Sequence, residues 1–156
     1  EMSRGLGDVY KRQMEILLIN GPNLNLLGSR ENSIYGNDTL EDIEKNLSVI
    51  CKENGVSFAS FQSNAEHEIV EKIHAAKEDN VSKILMNPGA FTHTSISIRD
   101  ALIGVGIPFY EIHISNIFAR EEFRHKSYFS DIAEGVVCGM GTKGYEFALE
   151  KAINSN

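Results

Sequence analysis

The chain has 156 residues, 42% hydrophobic and 24% charged, the balance of one ordinary globular domain rather than a disordered or fibrous segment. Its formal net charge of −7 argues against nucleic acid, which needs a basic face, but leaves room for a small anionic substrate held by a few local arginines. No apolar run approaches the roughly 20 residues that span a bilayer, and no charged-apolar-small leader reads as a signal peptide.

Residues 1–13 lack apolar periodicity, open with Glu before Met2, and run up to Met14. They are expected to be a non-native leader, with one domain over 14–156. Glu15 to Ile19 contains the apolar run Ile16-Leu17-Leu18-Ile19 and reads as a buried strand. The polar, glycine-hinged stretch from Asn20 to Gly36 follows. Strand-to-helix connections usually take about two to six residues, so this one reads as a site and a lid. A helix is expected from Thr39, with Asp42 completing an approximate capping box and Leu40, Ile43, Leu47, Ile50 and Cys51 as its apolar stripe. Gly55 stops it, and Val56 to Phe61 alternates as a second strand.

The next helix is expected to open at Ser63 or Asn64, with Glu66 closing a Ser-x-x-Glu box and Ile69, Val70, Ile73 and Ala76 facing inward. Lys83 to Met86 reads as the third strand, ending at Asn87-Pro88-Gly89. A helix from about Thr94 turns Ile98, Ala101, Leu102 and Val105 inward and stops at Gly104 or Gly106. Pro108 to Ile114 is the fourth strand, and 115–131 a long polar connection with one helical turn. Gly135 to Gly139 holds the fifth strand. Thr142 to Asn154 is the closing helix, with Tyr145, Ala148, Leu149 and Ala152 on one face. Cys51 and Cys138 are both expected to be buried small residues and form no CxxC pair, which points to a reducing cytoplasm.

Strand and helix in alternation predict an α/β, flavodoxin-like three-layer sandwich with a five-stranded parallel sheet of order 2-1-3-4-5. In that order the first, third and fourth strands are neighbours. Their carboxyl ends carry Asn23, Arg30 and Tyr35; Asn87 and His93; and Glu111, His113, Ser115, Arg120 and Arg124. Strand alternation puts Glu111 and His113 on one side. Each residue alone has a bland reading as a turn former, a packing residue or part of a solvated charged turn; their convergence on one sheet end is the signal. The chain lacks a GxxxxGK[ST] phosphate loop, a GxGxxG after a strand and a GxSxG elbow.

The run Asn20-Gly21-Pro22-Asn23-Leu24-Asn25, with Gly28-Ser29-Arg30-Glu31 and Tyr35-Gly36, resembles the signature of type II 3-dehydroquinate dehydratases. Further blocks match in order: Asn87-Pro88-Gly89-Ala90 with Thr92-His93-Thr94-Ser95; Arg99-Asp100-Ala101-Leu102; Glu111-Ile112-His113-Ile114-Ser115-Asn116 with Arg120-Glu121 and Phe123-Arg124-His125; and Gly139-x-Gly141-x-x-Gly144-Tyr145. The resemblance runs from Met14 to the C-terminus. One departure is Asn32, where the family commonly has Pro; losing that φ restraint is expected to loosen the lid.

The resemblance implies anti elimination of water from 3-dehydroquinate through an enol or enolate, without metal, Schiff base or cofactor. It implies Tyr35 as base, His113 as acid, and Asn23 as holder of the water that stabilises the enolate. Arg30 and Arg124 supply positive charge near the base. Asn87, His93, Ile114 and Ser115 bind the substrate's hydroxyls and carboxylate. Glu111 orients His113, with Arg120 in support, and Asp100 reaches a neighbouring subunit's cleft in trimers that assemble into a homododecamer. The residue types suit these roles. A phenol of reference pKa near 10 costs about 4 kcal/mol to ionise at pH 7, an expense two arginines in a water-poor cleft can offset. Lys83, opening a strand, and Lys143, in a first helical turn, read as solvated, which disfavours an amine-based mechanism. Two other readings stay open. His93, Glu111, His113 and His125 could form a hydrolase metal site, or the domain could be a binding module for small acids.

Overall fold

The computed structural model describes residues 14–29 and 36–155. Both the leader expected over 1–13 and the departure at Asn32 lie outside these described residues. Five strands form one sheet: β1 (Glu15–Asn20), β2 (Ser57–Gln62), β3 (Lys83–Asn87), β4 (Phe109–His113) and β5 (Gly135–Cys138). Their order is β2-β1-β3-β4-β5, as expected, and every pairing is parallel. The helices are α1 (Leu40–Glu53), α2 (Glu66–Glu78), α3 (Ile96–Val105) and α4 (Lys143–Asn154).

Alternation along β1 divides the core. Ile16 and Leu18 join Leu47, Cys51, Tyr145 and Leu149 beneath α1 and α4. Leu17 and Ile19 join Ile69, Ile73, Ile98 and Phe129 on the opposite face, beneath α2 and α3. A sheet covered on both faces leaves its strand ends as the accessible polar surface, and the carboxyl ends of β1, β3 and β4 lie side by side.

Local chemistry explains the helix starts. Thr39 and Asp42 form the reciprocal capping box, with bonds of 3.1 and 3.0 Å. The box expected at Ser63 and Glu66 does not form. Ser63 Oγ instead accepts from Ala65 N at 2.9 Å and donates to Glu68, so α2 begins at Glu66. Asn64 is drawn away to the first loop, where its Oδ1 accepts from Asn23 N at 2.9 Å. A 3-10 turn over Gly89–His93 delays α3 until Ser95 caps it through Ile98 N at 3.0 Å. The connection after β4 holds two 3-10 turns, Ile117–Ala119 and Glu122–Arg124, rather than the single turn expected.

Two burial expectations fail. Lys83 is not solvated: it is 5% exposed, and its ammonium donates to Ala152 O at 2.7 Å and to Ser155 O. It satisfies carbonyls at the C-terminus of α4 that the helix itself leaves unpaired, so position in a strand was a poor guide to its solvation. Burial pulls its ammonium below the ordinary range, with Glu134 opposing. Cys138 is half-exposed on the edge strand, whereas Cys51 is buried and its thiol is pushed up to about 11 by burial.

Candidate active site

The loops after β1 and β3 lock together and form the cleft floor. Gly21 N donates to Asn87 O at 2.8 Å. A Cβ on Gly21 would lie 2.2 Å from Pro88 O, and one on Gly89 would lie 3.0 Å from Pro22 O, so Gly-Pro after one strand fits against Pro-Gly after the next. Asn23 follows in the left-handed conformation (φ 69°), held by Asn64 at the rim. The cleft is lined by Asn23, Asn87, His93, His113, Ile114, Ser115, Arg120 and Arg124, with Pro22, Leu24, Gly89, Ala90 and Ile117. Eight of the residues expected at the site therefore meet in one hollow.

Three buried side chains support that floor. Gly89 N can only donate, so the Asn87 atom it meets at 3.2 Å is Oδ1. Asn87 Nδ2 then donates to the Tyr145 hydroxyl at 2.7 Å, and that hydroxyl must pass its own proton to Asn20 Oδ1 at 2.6 Å. This chain leaves one N–H of Asn87 to face a ligand as a donor. Asn20 Nδ2 is buried and has no partner among the described residues, as is Thr92 Oγ1. Burial pushes the Tyr145 phenol well above its ordinary value, so it stays a hydroxyl.

Glu111 is fully buried and its Oε2 accepts from His113 Nε2. That bond fixes the tautomer and leaves Nδ1 as the nitrogen available to the cleft. Ser130 Oγ donates to Glu111 Oε1 at 2.8 Å. Burial alone would raise the Glu111 carboxyl, but the bond and charge of His113 and the hydroxyls of Ser130 and Ser127 outweigh it and hold the group below its ordinary value. His93 Nδ1 donates to Lys126 O at 2.8 Å, which turns Nε2 toward the cleft as an acceptor in the neutral ring. Burial, then the charges of His113 and Arg124, lower His93 against the opposing Lys126 bond and Glu111. Arg124 Nε bonds Glu121 at 2.9 Å, its guanidinium 5.1 Å from the Phe123 ring centroid, and Arg120 lies 3.9 Å from the same carboxylate.

Tyr35 and Arg30 lie outside the described residues. Asp100 does not enter this cleft; it is exposed on α3 and lines a separate hollow between α2 and α3. The imagined metal set does not converge either. His125 Nε2 donates to Arg120 O at 3.0 Å, His93 Nδ1 is taken by a carbonyl, and Glu111 lies beneath His113. Among the described residues no group of three His, Cys, Asp or Glu is arranged to hold a metal ion.

Sequence reasoning missed Asn20, Tyr145 and Ser130. Tyr145 carried a usable signal, because a tyrosine on a wholly buried helix face needs a partner for its hydroxyl. Ser130 carried none, lying in a connection without periodicity.

The family model described as dehydroquinase class II matches residues 14–153. The 3-dehydroquinate dehydratase of Alkalilimnicola ehrlichii is 60% identical over 139 residues, 89% of this chain and 91% of the relative. That of Proteus mirabilis is 61% identical over 139 residues, 89% of this chain and 94% of the relative. Among solved structures, the type II dehydroquinase from Butyrivibrio crossotus superposes with a TM-score of 0.88 at 45% identity, covering 91% of this chain and 98% of that one.

Proposed function

Since the chain belongs to the class II dehydroquinase family, we propose that it removes water from 3-dehydroquinate by anti elimination through an enol or enolate, giving 3-dehydroshikimate. The chain is a hydro-lyase of this family, whose reaction serves the shikimate pathway to aromatic amino acids. The observation that carries the mechanism is the buried Glu111–His113 pair opening onto the cleft. Glu111 accepts the ring's Nε2–H, so the proton for the departing hydroxyl leaves from Nδ1 of His113.

Tyr35 takes the proton from the carbon next to the ketone. Arg30 and Arg124 stabilise its phenolate, whose formation at pH 7 otherwise costs about 4 kcal/mol. Asn23 holds the water that donates to the enolate oxygen, a preorganised donor where charge develops. Asn87 offers its remaining N–H, His93 its Nε2, and Ile114 and Ser115 complete the contacts to hydroxyls and carboxylate. Arg120 supports the charged rim. No metal or other cofactor enters this scheme. The buried Lys83 bonds the C-terminus of α4 from the amino end of β3, the end of the sheet away from the cleft, which removes it as a Schiff-base amine. Asp100, outside its own cleft, is assigned to a neighbour's cleft in a trimer, four of which form a dodecamer. The enzyme works in the cytoplasm; among the described residues no helix is long and apolar enough to cross a membrane.

The direct test is an assay with 3-dehydroquinate, following the conjugated enone of the product, with and without a chelator. Conversion that survives the chelator is expected. Binding without conversion would favour a small-acid binding module, and conversion abolished by metal removal would sink the proposed mechanism.

A further inference from the structure

Glu111 is a carboxylate with no exposure to water, so each of its oxygens needs a donor from the protein. Oε2 has His113 and Oε1 has the Ser130 hydroxyl at 2.8 Å. A carboxylate only accepts, so Ser130 donates. Ser130 lies on the segment just before β5, where nothing in the backbone pattern demands that its hydroxyl point inward. Its placement comes from its neighbours. Tyr128 N donates to Thr92 O at 2.8 Å, and Phe129 is fully buried in the core beneath α2 and α3. Arg99 donates from Nη1 to Tyr128 O at 2.7 Å and closes a two-pronged bond to Asp131, with Nη2 to Oδ2 at 2.9 Å. The two residues flanking Ser130 on the C-terminal and N-terminal sides, Asp131 and Phe129, are thus both held. Arg99 is invoked by no step of the mechanism above, yet its fork grips the segment that delivers Ser130.

We infer that Ser130 is a positioning residue for the acid pair, holding Glu111 ionised beneath His113, and that the Arg99–Asp131 clasp sets the segment that carries it. The inference rests on the reading of His113 as the acid. Among the described residues, the strands on either side of Glu111 bring no side-chain donor to it. Its partner in the register on β3 is Met86 and on β5 is Val136, both apolar. Among the described residues, the titratable groups facing it are His113 on its own strand and His93 from the turn before α3, with Ser127 contributing a second hydroxyl. Without Ser130, Oε1 is a buried acceptor lacking its closest donor, and the neutral carboxylic acid becomes the better-tolerated form. A neutral Glu111 is a weaker acceptor for the Nε2–H of His113 and orients that ring less firmly.

The test uses the full chain with Ser130→Ala, Ser130→Thr and Arg99→Gln, read by kinetics against pH and by carbon-13 NMR titration of the Glu111 carboxyl. Ser130→Ala is expected to lower kcat about tenfold, part of the roughly hundredfold or more that general acid catalysis contributes, with KM little changed. The acid limb of its rate profile and the Glu111 titration should both move to higher pH. Ser130→Thr, which keeps the hydroxyl, should restore both, and Arg99→Gln should move both in the same direction as Ser130→Ala. An unmoved Glu111 titration in Ser130→Ala overturns the inference whatever the kinetics show. A loss of kcat equal in the Ala and Thr variants, tracking a loss of melting temperature, also overturns it. A wild-type chain that fails to convert 3-dehydroquinate, while Glu111 still shifts in Ser130→Ala, sinks the functional reading and leaves the Ser130 contact standing.

Discussion

At the scale of single residues, the cleft works because donors and acceptors are committed before a ligand arrives. Gly89 N–H determines which way the Asn87 amide faces, Tyr145 passes that orientation to Asn20, and Glu111 selects the ring nitrogen of His113 that meets the cleft. Tyr145→Phe keeps the packing of the ring but strips a donor from Asn20 and an acceptor from Asn87, both buried. It should destabilise the fold by about 2 kcal/mol, the cost of stranding buried polar groups, measured by urea unfolding; a change within error would show that Asn20 and Asn87 find other partners. For the chemistry, Tyr35→Phe is expected to cut kcat by at least about a thousandfold with substrate binding largely kept, if Tyr35 is the base proposed above. Near-normal turnover in that variant would take the base role away from Tyr35.

Between residue and fold stand the loops after β1 and β3. Their Gly-Pro and Pro-Gly pairs interlock so closely that backbone meets backbone at Gly21 and Pro88. Gly21→Ala places a methyl 2.2 Å from the Pro88 carbonyl oxygen, a clash with main chain that no rotamer relieves. The expected loss is on the order of 3 kcal/mol, at the upper end of overpacking costs, and it should appear in thermal unfolding together with weaker substrate binding, because Asn87 hangs from the same hydrogen bond. A variant with normal stability would mean that the two loops separate readily. The same scale explains why the α2 start was misread. Ser63 and Asn64 have the side chains of helix caps, but Ser63 bonds the Glu68 side chain in the first turn of α2 instead of pairing with Glu66, and Asn64 is committed to Asn23 in the neighbouring loop.

For the molecule as a whole, acid stability follows from the direction of its pKa shifts. Burial holds His93 below its ordinary 6.5, so the unfolded chain binds that proton more readily and stability falls as pH drops through this range. Glu111, Glu121, Asp42 and Asp131 are all held below their ordinary values of 4.5 or 3.8, so their contributions are present above those values and are lost as pH falls through the folded-state pKa. The urea midpoint should therefore decline in two stages, a shallow one below about pH 6.5 and a steeper one below about pH 4.5; His93→Gln should remove the first and leave the second. A His93→Gln curve that keeps the first stage would assign it to another histidine. The strand order, the two apolar faces, the capping box at Thr39 and the cleft residues from Asn23 to Arg124 were legible in the chain because hydrophobic period, cap chemistry and motif spacing are local properties. Burial of Lys83 under the last helix, the grip of Arg99 on Asp131, the Asn87–Tyr145–Asn20 chain and the delivery of Ser130 to Glu111 were not. Each joins residues from 19 to 125 positions apart, and a polar side chain's partner across such a span is settled only when packing decides which buried donors and acceptors must satisfy one another.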